Sequence, residues 1–240
     1  MSVLVNSLFF QSLVPMTCLL CEQANKEPLC AGCRRDLPWL ESSCDYCALP
    51  LSQPGICGQC SQDLPSFQHC LSPWRFDMPV GRLINQFKHR RNFRYGSFLS
   101  QELARHVQQS YSADELPDCI VPVPLHWRRL LRRGFNQAEF IARILGKELN
   151  KPLLRCVSRA VPTSQQQGLK RRERLRNLAD AFVVKEKVFG SKVARPKSVA
   201  VVDDVMTTGA TAEAISTVLQ AAGIEQVHIW VVARTPAPQD

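Results

Sequence analysis

The run KSVAVVDDVMTTGATAEAIST, residues 197–217, constrains this 240-residue chain more than any other stretch. Its apolar, β-branched opening (Val199, Ala200, Val201, Val202) reads as a buried strand of an α/β sheet. Asp203 and Asp204 follow. Next come a turn of small residues, Thr207-Thr208-Gly209-Ala210-Thr211, and a helical pattern with Ala214, Ile215, Val218 and Leu219 on one face. A strand that turns into a helix N-terminus makes an anion site: unpaired N–H groups and the positive end of the helix dipole favour a phosphate, and threonine hydroxyls add donors. Gly209 lets the backbone approach a ligand without a Cβ in the way. Two acids are unexpected beside a bare phosphate. They fit a ligand that also offers a sugar diol or a divalent cation, since carboxylates accept from hydroxyls and attract hard cations. A helix cap would account for one threonine but not for the acids, and no Gly-Lys-Ser/Thr follows to make a P-loop.

Apolar strand, acid pair and T-T-G-x-T together resemble the phosphoribosyl diphosphate (PRPP) motif of type I phosphoribosyltransferases. The resemblance implies that Asp203 and Asp204, the candidate catalytic residues, hold the ribose hydroxyls and Mg²⁺. It implies too that Thr207, Thr208, Gly209, Ala210 and Thr211 cradle the 5′-phosphate.

The other strong signal is cysteine spacing. Residues 18–60 hold eight of the eleven cysteines in four C-x-x-C pairs, Cys18/Cys21, Cys30/Cys33, Cys44/Cys47 and Cys57/Cys60. Two such pairs make a tetrahedral sulfur cage, so four pairs imply two structural zinc ions with no open position for chemistry. The stretch is rich in Pro and Gly and short of apolar residues, so zinc would supply its folding free energy. The simplest pairing joins the first two pairs and the last two into a double zinc ribbon; spacing leaves an interleaved pairing open. A disulfide framework would need an export signal. The apolar residues 1–16 lack the basic start and A-x-A site of one, and are too short to span a bilayer. They read as an amphipathic lead-in to a cytoplasmic chain with no membrane span. The expected layout is a lead-in (1–17), a double zinc ribbon (18–64) and one α/β domain (65–240).

Thirty Lys and Arg against 21 Asp and Glu give a net charge of +9, which favours anionic partners. Along the chain the pattern predicts a strand over residues 69–76, helices from about 78 to 109, a strand over 118–125 with a proline-punctuated end, a helix over 136–149 and a last strand over 226–234. Lys88, Arg90, Arg91 and Arg94 cluster beside Phe93 and Tyr95, a mixture that can track a single-stranded backbone and stack bases; it equally describes a solvated helix end. Arg128, Arg129, Arg132 and Arg133 read as a basic loop able to neutralise a diphosphate or a nucleic acid. Between two short strands, residues 165–178 carry Lys170, Arg171 and Arg172, and suit either a lid over leaving diphosphate or a basic helix on a nucleic acid. Cys70, Cys119, Cys156 and the histidines read as ordinary packing or surface residues.

The cysteine pairs, the RRGFNQA run at 132–138, the 166–177 segment and VVDDVMTTGAT at 201–211 together resemble the ComF/GntX family over nearly the whole chain. That family is associated with natural competence and use of external DNA, and includes proteins proposed to handle single-stranded DNA. The resemblance implies a type I phosphoribosyltransferase-like parallel sheet flanked by helices, with PRPP bound with Mg²⁺ and the loop Val123, Pro124, Leu125 near its diphosphate. Partners implied are single-stranded DNA and a DNA-uptake helicase or competence proteins. Two activities fit: transfer from PRPP, and a DNA-handling module whose pocket is regulatory. A PRPP-sensing scaffold that docks an uptake partner is a third.

Overall fold

The computed structural model describes residues 17–159, 181–189 and 195–237, without the side chains of residues 186 and 187. The chain divides into two compact units between Leu37 and Pro38. In the first, a short helix α1 (Ala31–Arg35), capped by Cys30, follows the Cys18–Cys21 turn. The second opens on another short helix, α2 (Gly58–Gln62), and continues into a parallel sheet with helices on its faces.

Strand order is β1 (His69–Leu71), β7 (Gln226–Arg234), β6 (Ser198–Met206), β3 (Cys119–Pro122), with β2 (Trp74–Arg75) also on β7. All these pairings are parallel, and β6 and β7 run in register from Ser198↔Gln226 to Met206↔Arg234. The central strands are apolar on both sides, as a sheet covered on both faces requires. On one face Val199, Val201, Val227, Ile229 and Val231 pack with Ile215 and Leu219 of α7 (Ala210–Ala221) and with the second group of cysteines. On the other, α6 (Gln137–Glu148) lies against β3 and β6, and α4 (Phe93–Ser110) packs on α6, on β7 and on α3 (Val80–Arg90). A two-stranded antiparallel hairpin, β4 (Val157–Arg159) with β5 (Phe182–Val184), stands beside this sheet.

Three expectations need adjustment. The predicted strand over 69–76 is two short strands, because Pro73 has no N–H to give the ladder. The basic loop after β3 is a helix, α5 (Trp127–Arg133), closed by Gly134 at φ +80°. The central strand does not stop at Val202 but continues through both aspartates to Met206.

Where α4 crosses its neighbours the approach depends on Gly96. A Cβ there would sit 2.5 Å from Cε2 of the fully buried Phe87 and 3.0 Å from Phe140. Gly96→Ala is therefore expected to cost about 1–3 kcal/mol through overpacking. A urea midpoint that stays unchanged would contradict this.

Candidate functional site

The anion turn lies where β6 hands over to α7. Gly209, at φ +78°, is the N-cap of α7 and has no side chain to bond the first-turn N–H groups. Only the Ala210 N–H finds a hydroxyl among the described residues, donating to Thr208 Oγ1 over a long 3.4 Å. A twelve-residue helix thus points its positive end and its uncapped N–H groups at a small cleft of about 50 Å³. Val123, Asp203, Thr207, Thr208, Gly209 and Thr211 line it. Any Cβ on Gly209 would strain the backbone and come within 2.8 Å of Met206 Cε.

Because β6 runs through the acid pair, consecutive side chains point to opposite faces. Asp203 shares the cleft with Val201 and Val205, whereas Asp204 bonds Lys88 of α3, Nζ to Oδ1 at 2.9 Å. Lys88 is only 17% exposed, so one of the predicted nucleic-acid residues is held at the acid pair. Asp203 accepts the Asp204 N–H at 2.8 Å. Burial, then the Asp204 charge, push its carboxyl up to about 7, against that N–H bond and the Lys88 and Arg133 charges.

Across the C-terminal edge, the loop after β3 is fastened to β6 and α6: Val123 N donates to Val202 O at 3.0 Å, and Asn136 Nδ2 donates to Val123 O at 3.0 Å. Val123 faces the acid cleft, while Pro124 and Leu125 line a neighbouring cleft of about 550 Å³. Arg133, one of the basic candidates, gathers around this loop with two side chains that the sequence did not mark as functional, His126 and Gln137. His126 is buried and takes the Arg128 N–H on Nδ1 at 3.3 Å, so in the neutral ring Nε2 carries the proton. Burial and the charges of Arg159, Arg128 and Arg129 hold its pKa below the usual value, which keeps it neutral. Gln137, 2% exposed, accepts from Arg133 Nη1 at 3.0 Å. His126 Nε2, Arg133 Nε and Gln137 Nε2 are buried donors without an acceptor among the described residues. Uncompensated buried donors are costly and point to a missing acceptor.

Behind the turn stands the buried Arg234 at the end of β7. It donates to the carbonyls of Cys47, Met206, Thr207 and Thr235, and so fixes the backbone from which the turn starts.

The remaining basic candidates converge although they are far apart in sequence. Arg91, in the left-handed conformation at the end of α3, donates through Nε to Arg133 O at 3.0 Å, which joins the α3–α4 corner to the end of α5. Arg90, Arg91, Arg94 and Arg132 are exposed there, and Phe93 stacks with Phe140 and meets Phe135 edge-on. Trp127, 57% exposed, carries Arg128 over its ring. Lys170, Arg171 and Arg172 lie outside the described residues, as do residues 1–16 of the lead-in and the whole of the expected lid.

The eight paired cysteines form two sets, Cys18/Cys21/Cys30/Cys33 and Cys44/Cys47/Cys57/Cys60, with the sulfurs of each set within 4.8 Å of one another. The sequential pairing therefore holds. Cys21–Cys30 and Cys47–Cys57 sulfurs are 3.8 and 3.7 Å apart, close to the edge of about 3.8 Å that a tetrahedral zinc with bonds of about 2.3 Å requires. Each set is built alike: Cys30 and Cys57 cap α1 and α2 and accept the N–H of Cys33 and Cys60. Although burial acts to raise it, N–H donors hold the Cys18 thiol down to about 6 and the Cys44 thiol to about 7, while Cys33 and Cys60 are pushed up by burial and by the neighbouring sulfurs, so a set of four thiolates needs a cation among them. Both sets fit structural zinc. No cysteine is in a disulfide, and no helix among the described residues is long and apolar enough to cross a membrane.

Residues 9–61 match the double zinc ribbon domain family and residues 99–240 the phosphoribosyl transferase domain family. The chain is similar to Competence protein F of Haemophilus influenzae, 34% identical over 214 residues that cover 87% of this chain and 91% of that one. It is 33% identical to DNA utilization protein YhgH of Salmonella typhimurium over 229 residues, 92% and 98% of the two chains. Competence protein ComFC of Bacillus subtilis is 25% identical over 194 residues, 77% and 75%. Among solved structures, a purine phosphoribosyltransferase from Pyrococcus horikoshii aligns over 59% of this chain and 87% of that one, at 17% identity and a TM-score of 0.33, a likeness too loose to bear on the site.

Proposed function

This chain belongs to the family of Competence protein F and the YhgH DNA utilization proteins, a double zinc ribbon followed by a phosphoribosyl transferase domain, and on that premise we propose that it binds PRPP and acts in competence or the use of external DNA. The observation that carries this reading is the convergence at one edge of the sheet: a helix N-terminus with no side-chain cap on Gly209, the half-buried Asp203 carboxylate in the same cleft, and orphaned donors beside the facing loop.

In this reading the 5′-phosphate takes the N–H groups and hydroxyls of residues 207–211, and Asp203 accepts from the ribose hydroxyls. The diphosphate lies along Val123, Pro124 and Leu125 and receives His126 Nε2–H, Arg133 Nε–H and Gln137 Nε2–H. Mg²⁺ entering with the substrate would be held by Asp203, the acid that faces the cleft, and would offset diphosphate charge. As the C1–diphosphate bond loosens, negative charge builds on the leaving oxygen, where Arg133 is already positioned. A preorganised cation there lowers the barrier without reorganisation. Neutral His126 can donate without adding charge.

Single-stranded DNA handling is the second part of the proposal, with a cytoplasmic place of action. Its support is the corner where Arg90, Arg91, Arg94 and Arg132 are exposed around Phe93 and Trp127.

Calorimetric titration of PRPP with Mg²⁺ into the zinc-loaded chain tests the reading, alone and with a short single-stranded DNA already bound. The expected result is a Kd at or below about 1 mM, shifted by the DNA. DNA affinity is expected to fall with salt at a slope of about −0.7 per phosphate contact. Absence of PRPP binding in both states removes the proposal.

A further inference from the structure

The Arg234 guanidinium is 4% exposed, and among the described residues it has no carboxylate partner. Its partners are oxygens of the chain itself. Nε donates to Cys47 O at 2.9 Å, and Nη1 donates to Met206 O at 3.2 Å, to Thr235 O at 2.8 Å and to Thr207 O. A buried charge without a counter-ion is costly to keep. Here the charge lies between the backbone of the turn whose N–H groups face the anion cleft and the second cysteine set, so the thiolates of that set and an anion in the cleft are both its electrostatic complements. The same side chain reaches the backbone of a zinc-cluster cysteine.

A second connection runs in parallel. The Cys70 N–H donates to Tyr46 O at 2.6 Å, and Cys70 Sγ lies 3.5 Å from Met206 Sδ. Residues 46 and 47, inside the C-x-x-C turn Cys44–Cys47, thus touch β1 through Cys70, whose sulfur meets Met206 at the end of β6, and β7 through Arg234, which bonds the Met206 and Thr207 carbonyls. The four cysteines of this set are buried in the core that also holds Met206, Ala212 and Ile215.

We propose that Arg234 is a positioning residue of the anion turn, and that through it the second cysteine cluster and the turn are energetically coupled. Zinc in the Cys44/Cys47/Cys57/Cys60 set fixes the Cys47 carbonyl, which orients the guanidinium that fixes the Met206 and Thr207 carbonyls. A sugar phosphate in the turn then retains that zinc, since coupling between two sites is reciprocal. The Cys18/Cys21/Cys30/Cys33 set, in the other compact unit, has no part in it. This inference rests on the reading of residues 207–211 as a phosphate cradle.

The test follows zinc release from the full, two-zinc chain to a chromogenic zinc chelator, with and without saturating ribose 5-phosphate, and again with PRPP and Mg²⁺. Calorimetry in the same buffers reports whether each probe binds. A Cys21→Ser chain, lacking the first zinc, identifies which phase belongs to the second cluster. Bound ligand is expected to slow release from the second cluster by at least about fivefold and to leave the first unchanged. Arg234→Lys keeps a cation but cannot span the carbonyls, and is expected to lose the slowing while still carrying two zinc ions. Two results overturn the inference alone: ligand that binds but leaves second-cluster release unchanged, or slowing that survives in Arg234→Lys. If neither probe binds, the PRPP reading fails and this inference goes with it.

Discussion

Replacing Asp203 with Asn is expected to abolish PRPP binding and, in the same protein, to raise thermal stability above pH 7. The two effects share one cause. The Asp203 carboxyl is raised from 3.8 to about 7 by burial and by the neighbouring Asp204 charge. An acid whose pKa is raised on folding binds more protons in the native state than in the unfolded one between those two values. The Asp203 contribution to stability is therefore greatest below about 4 and declines as pH rises towards 7, beyond which the native state holds a half-buried, repelled carboxylate. Asn removes that penalty. Recovery of one to a few kcal/mol would appear as a rise in Tm of about 2–4 °C per kcal/mol for a chain of this size. Binding moves the other way. The ribose hydroxyls and any associated cation need the ionised form, so PRPP affinity is expected to increase from pH 6 to 8 in the natural protein. In Asp203→Asn it should fall by more than about 100-fold, the loss of two charged hydrogen bonds of about 1.5–3 kcal/mol each. Calorimetry and thermal melts at pH 6 and 8 check both. A variant that binds normally, or one destabilised at pH 8, would show that Asp203 is not the strained ligand-binding acid described here.

The second large effect concerns the two cysteine clusters, which are alike in design and unlike in setting. Every cysteine of the second set is buried, whereas in the first Cys21 is exposed and Cys30 and Cys33 are half-buried. Cys57→Ser is expected to lose one zinc and to unfold much of the second unit at 37 °C. Structural zinc contributes about 10–16 kcal/mol in small zinc domains, as much as the net stability of a typical domain, and this cluster is part of the core that holds α7 against the sheet. Cys30→Ser is expected to lose one zinc and leave that unit folded. All four tryptophans, at 39, 74, 127 and 230, lie after the unit boundary, so indole fluorescence reports the second unit alone. Metal content together with fluorescence-monitored melting separates the variants; equal melting temperatures would contradict the asymmetry.

What could be read from the sequence follows from how local each signal is. The β6–turn–α7 unit lies within 24 consecutive residues, and its composition alone placed strand, acids, turn and helix in order. The C-x-x-C spacing likewise announced two zinc cages, but which pairs meet depends on how the chain folds back, and spacing left that open. Helix α5 was missed because WRRLLRR carries its leucines outward: Leu130 and Leu131 are 41% and 75% exposed, so no buried stripe marked the helix. Lys88 was assigned to a basic cluster because its neighbours in sequence are basic, although its partner Asp204 is 116 positions away on another element. Arg234 gave no signal, since a cation ending a strand is normally taken for a solvated terminus. Arg133 was marked by its basic neighbours, but His126 and Gln137 became conspicuous only through unmet hydrogen-bond capacity, which no sequence pattern encodes.

The break between β1 and β2 bears on how this protein behaves in a crowded cell. A parallel sheet that ended in one long, regular strand would offer a row of free N–H and C=O groups to any other chain. Here the outer strand is split at Pro73, and residues 38–40 lie along its second half, with Arg75 N–H on Pro38 O, Leu40 N–H on Pro73 O and Trp39 opposite Trp74. A proline and a short strip of backbone thus close part of that border to intermolecular strand pairing, so that a core this rich in valine and isoleucine is shielded on that side from seeding aggregates.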